Sequence, residues 1–60
     1  MEKIKPFVEQ DSTEKNVENL EKRANEWLEE NDGKITIIDR KFETSRNSMY
    51  LIYFFEANEN

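Results

Sequence analysis

The sequence predicts an α+β domain of order β-α-β-β, one helix packed on a three-stranded antiparallel sheet with strand order 2-3-1. Three observations predict it. Apolar residues recur at helical spacing only between residues 17 and 28. Two β-branched or aromatic runs follow, separated by a short polar connection. Before the helix lies a short apolar stretch interrupted by Pro6, which cannot donate to a ladder and so belongs on a sheet edge.

Residues 3–9, KIKPFVE, form the first expected strand, with Ile4 and Val8 on one parity and Phe7 on the other. The run DSTE at 11–14 is a helix start: Asp11 or Ser12 serves as N-cap, and Glu14 at N3 completes a variant of the capping box if Asp11 is the cap. Val17, Leu20, Ala24, Trp27 and Leu28 then draw one stripe along a helix. The helix ends near Asn31, with Gly33 as its left-handed C′ residue. Glu29 and Glu30 oppose the negative helix end, a sign that an acidic face serves another purpose.

The second strand is 34–44, KITIIDRKFET. Strict alternation puts Ile35 and Ile37 on one face, and Ile38, Arg40 and Phe42 on the other. Arg40 among apolar neighbours implies either a bulge near Ile37-Ile38 or a carboxylate partner. SRNS at 45–48 is short enough for a hairpin. The third strand, MYLIYFF at 49–55, has no polar residue in it, and the polar tail EANEN is expected to fray. Placing this strand at the centre keeps Pro6 on an edge.

One helix covers one sheet face. By parity Tyr50, Ile52 and Phe54 are expected beneath the helix with Ile38 and Phe42. Met49, Leu51, Tyr53 and Phe55, with Ile35 and Ile37, would then form a bare apolar face. Such a patch marks an interaction site. Self-association face on face, giving a homodimer, is the first expectation for these six residues; grip on a different protein is the second. A one-residue bulge would swap the faces and still leave one of them bare.

Composition sharpens this. A chain of 60 residues is one domain and buries only about 60% of its unfolded surface, so it gains from association. With neither Cys nor His, disulfides, thiolate zinc sites and imidazole chemistry are absent from its means. The N-terminal residues lack an apolar signal-type segment, and the longest apolar run is far short of a membrane span, so a cytoplasmic location in a host bacterium is expected.

Net charge is −5, and residues 9–32 carry nine acids against three bases. Phosphate neutralisation needs the opposite sign, so direct nucleic-acid binding is not expected. Tyr50, Tyr53, Phe54 and Phe55 could stack bases only beside a basic groove. Glu14, Glu18 and Glu21 share a helix face; as a cation site they are isolated, and a solvated face with a Glu18–Lys22 pair is the simpler reading. No serine has a neighbouring base, and one glycine makes no phosphate loop. Trp27, on the apolar stripe, is read as core rather than a binding cage. No catalytic, cofactor or metal residue is expected. Glu14, Glu18, Glu21, Glu29 and Asp32 are the partner-binding candidates, because an acidic face can imitate a nucleic-acid backbone toward a host nucleic-acid-binding protein.

The segments IKPFVE, LEKRANEWLEEN, ITIIDRKF and YLIYFFE resemble those of a family of similarly short proteins from spore-forming Firmicutes and their phages, known as small sporulation proteins. The family has an aliphatic residue where Arg40 stands here. The build is also similar to small phage anti-defence proteins of the type that inhibits the Hachiman helicase–nuclease system. Either resemblance implies a non-enzymatic cytosolic protein that works by binding. The first implies a structural or regulatory sporulation role, the second a phage-type inhibitor of a host defence enzyme.

Overall fold

The structure is a computed structural model, and it describes residues 1–58. Its elements are β1 (Glu2–Glu9), α1 (Glu14–Glu30), β2 (Ile35–Thr44) and β3 (Met49–Ala57). The sheet has the order β1-β3-β2, and β3 is antiparallel to both neighbours. The β-α-β-β order, the central third strand and the edge position of Pro6 match expectation. Pro6 sits opposite Ile52 in an edge strand, where its missing N–H costs no ladder bond on the outer side.

Local chemistry shifts the helix start. Thr13, extended at φ −73° and ψ 156°, is the N-cap, and its Oγ1 accepts from Asn16 N at 3.3 Å. Asp11 and Ser12 were the expected caps. The Ser12 hydroxyl instead donates to Ser45 O at 3.2 Å, and Asp11 contributes only its carbonyl, which accepts from Asn16 Nδ2 at 3.1 Å. With Ser12 spent on the β2–β3 connection, the next hydroxyl caps the helix, and Glu14 becomes its first residue. Asn31 is the C-cap, and its Nδ2 donates to Trp27 O at 2.8 Å. Gly33 does take the left-handed conformation, at φ 78°, but two residues past the cap, in a turn closed by Lys34 N donating to Asn31 O at 2.9 Å.

The tail does not fray where expected. Glu56 and Ala57 continue β3 opposite Thr36 and Ile35. Asn58 then donates from its backbone N to Lys34 O (2.8 Å) and from Nδ2 to Gly33 O (3.2 Å), and its Oδ1 accepts from Thr36 Oγ1 (2.6 Å). Residues 59–60, the rest of that expectation, lie outside the described residues.

The largest correction concerns the faces of the sheet. Buried together are Phe7, Leu20, Ala24, Met49 and Tyr53, with Trp27, Leu28 and Leu51 packed against them. Met49 is 0% and Tyr53 6% exposed. The rings of Trp27 and Tyr53 lie 5.6 Å apart, those of Trp27 and Phe55 5.2 Å. The parity of Met49, Leu51, Tyr53 and Phe55 therefore faces α1, and that of Tyr50, Ile52 and Phe54 does not. The bulge explains the exchange. Ile37 pairs with Phe55 but Asp39 with Phe54, so Ile38 is an extra residue and alternation restarts after it. Ile35 and Ile37 thereby join Phe42 on the side of Phe7, Met49 and Tyr53. That side gathers the larger apolar set, while Asp39, Lys41 and Glu43 fall together on the other. Strict alternation across 35–44 sorts these residues wrongly.

Candidate partner-binding surfaces

Three surfaces remain once the core is assigned. The first is the open side of the sheet. Register places Ile4 beside Phe54, Pro6 beside Ile52 and Val8 beside Tyr50. Ile4 is 61%, Val8 54% and Ile38 50% exposed. The three β3 residues are half-buried only by their strand neighbours. The expected self-association set, Ile35, Ile37, Met49, Leu51, Tyr53 and Phe55, is not this surface: Met49 and Tyr53 belong to the core, and Leu51 packs against it.

Along β2 the open side turns polar. Glu43 accepts from the Tyr50 hydroxyl and pairs with Lys41, whose Nζ lies 3.1 Å from Oε1. Both partners favour the charged carboxylate, the Tyr50 hydrogen bond most, so the Glu43 carboxyl is held below the usual range. Tyr50 and Lys41 are shifted upward by the same contacts, the hydrogen bond to Glu43 leading in each case. This is a surface network that fixes the hairpin, and it offers no acceptor-free nucleophile or isolated base.

The second surface is the flank of α1. At 3.6 residues per turn, Glu14, Glu18, Glu21 and Glu29 form one row. Arg23, on the opposite flank of the buried Leu20–Ala24 line, reaches β1: its Nη1 donates to Glu9 Oε1 (2.8 Å) and to Val8 O (3.2 Å), and its guanidinium lies over the Phe7 ring. The acidic row therefore looks away from β1, toward the β2 side. Asp32 follows in the turn beyond the helix. All five carboxylates are exposed, and among the described residues none is in an ion pair, the expected Glu18–Lys22 pair included. The structure thus brings four of the five candidates into one row and sets Asp32 past its end.

The third surface is β2 itself, exposed at every residue but Ile35. Phe42 is 53% and Ile37 37% exposed although both lie on the helix side of the sheet, because α1 sits against β1. Sequence reasoning missed this edge, and also Arg23, read only as a charge. The signal for Arg23 was its position one residue before the buried Ala24, which aims a long side chain at the flanking strand.

No enclosed cavity and no group of three or more acidic ligands suited to a metal ion occurs among the described residues. Among those residues no helix is long and apolar enough to cross a membrane. Comparison with family models, with curated proteins and with solved structures finds no match to this chain.

Proposed function

We propose that this protein acts without catalysis, as a phage-type inhibitor that binds and blocks a basic host protein, a nucleic-acid-processing defence enzyme being the class that fits best. In this reading α1 forms a layer on the β1–β3 part of the sheet and displays its acidic flank as a phosphate-like row. The observation that supports it is that row: Glu14, Glu18, Glu21 and Glu29 are exposed and unpaired among the described residues while the sole helix arginine is spent on Glu9. Glu14, Glu18 and Glu21 follow one another at i+4 and i+3, about 5–6 Å apart at their β carbons, and Glu29 lies about two turns further along the same row. A rigid row of this kind competes for a nucleic-acid channel without being a substrate.

The test is inhibition of purified helicase and nuclease defence enzymes by the wild-type protein and by E14K/E18K/E21K. Loss of inhibition by at least about tenfold, with an unchanged far-ultraviolet spectrum, is the expected result, and it should weaken with salt. Equal inhibition by the reversed variant overturns recognition through this row. Production confined to sporulating cells, with no effect on phage plating, would instead favour a structural or regulatory sporulation role.

A further inference from the structure

We propose that β2 pairs antiparallel with β2 of a second copy of the chain, about a two-fold axis through Phe42, to make a continuous six-stranded sheet. The inference rests on the edge strand and is independent of the acidic row. An unpaired edge is a template for another strand, and proteins blunt such edges with proline, shortness or charge. The two edges here differ. β1 carries Pro6 in its middle, whereas β2 spans ten residues, has no proline and pairs on one side only.

The charges of β2 do not block this pairing; they select its register. About a two-fold axis normal to the sheet, the central residue faces its own copy, and flanking residues face one another in mirrored order. Centres at Asp39, Arg40, Lys41 or Glu43 each set a charge against itself, which is unfavourable for directly opposed residues. Centres at Ile38 or earlier run the ladder through the bulge. Centres beyond Glu43 run off the strand end at Thr44. The centre at Phe42 alone remains. It opposes Phe42 to Phe42, Lys41 to Glu43 twice and Arg40 to Thr44 twice, and it leaves the bulge outside the paired segment.

This register also uses what the single chain leaves exposed. Phe42, half exposed and opposite Leu51 in its own sheet, gains an aromatic partner on the helix side. On the open side the Lys41–Glu43 pair of each chain merges into an alternating array of four charges. The axis is normal to the sheet, so both acidic helices project from one side and both apolar faces from the other. One dimer then presents two identical rows to a partner.

Two measurements test this together. Light scattering coupled to size exclusion should give twice 7.3 kDa for the wild type. K41E puts a glutamate opposite Glu43 of the second copy at both symmetric positions and should weaken the dimer by about tenfold or more; K41E/E43K restores opposite charges and should restore the mass. The chain has no cysteine, so F42C provides a unique thiol. Opposed β carbons lie about 4.5–5.5 Å apart, near disulfide range, and F42C should cross-link under mild oxidation while I4C, on the open face, should not. A monomeric wild type at millimolar concentration overturns the proposal. So does failure of the double variant to recover, or cross-linking by I4C in place of F42C, which would mean face-on-face association.

Discussion

The two sides of β3 are built from the same kind of residue and meet opposite fates. Met49, Leu51, Tyr53 and Phe55 point toward α1, where Met49 is entirely buried. Tyr50, Ile52 and Phe54 point away and are covered only by adjacent strands. Hydrophobicity within β3 does not distinguish them. The difference comes from the neighbours: Phe7 and the bulged β2 put their apolar residues on one side, and the Leu20–Ala24–Trp27 stripe follows. A central strand that is apolar on both parities leaves its orientation to the strands beside it.

Truncation on either side of β3 tests this comparison most strongly. Met49→Ala removes a side chain with no exposure and should cost about 2–5 kcal/mol, close to the whole stability of a domain this small. Ile52→Ala, on the open side, should cost less than half as much in a monomer. Urea unfolding followed by Trp27 fluorescence measures both. Equal losses would mean that the open side is covered in solution, by a second copy or by another surface.

How far the sequence revealed this follows from the same contrast. Element types, strand order and the edge position of β1 were legible because each depends on local text: helical spacing at 17–28, β-branched runs, a proline. The orientation of the sheet was not, because it turns on Ile38. A bulge is set by the twist and packing of the paired strands; the run Ile37-Ile38-Asp39 carries no glycine, and a bulge near Ile37-Ile38, which the register shift there bears out, was only one of two readings of the sequence. Arg40 was the available hint to the bulge, but the inserted residue does not free it from apolar neighbours: it lies opposite Tyr53 on the side of Phe42 and stays exposed, and its amide donates to Asp39 Oδ1 at 2.8 Å. The acidic row was legible from spacing alone, since exposure follows from the opposite stripe being buried. Its isolation from cations was not, because Arg23 and Lys22 could have paired along the helix and do not.

The cover over the Met49 side depends on α1 remaining helical from its first turn. Thr13→Ala removes the cap acceptor for Asn16 N and should cost about 1 kcal/mol. The loss should appear as faster amide exchange in the first helical turn, with the sheet amides less affected. A uniform loss across the sheet would instead show that the helix start and both sides of β3 unfold as one unit.

The smallest effect should come from the polar corner of the open side, where the sign of the pH dependence is fixed by three contacts. The Glu43 carboxyl is lowered in the folded state, so its contribution is present above its unfolded value and disappears as pH falls through the folded one. Tyr50 and Lys41 are raised, so theirs is present below their unfolded values, near about 10, and disappears as pH rises through the folded ones. The corner therefore favours the fold between the carboxylate and phenol ranges, and weakly, since all three groups are exposed to water. Glu43→Gln removes the charge that holds the Tyr50 proton, so ultraviolet titration should show Tyr50 ionising at lower pH in the variant. A Tyr50 titration that ignores the substitution would mean that the hairpin does not hold Glu43 against Tyr50 in solution, and the charged half of the open side would then be free to rearrange around a partner.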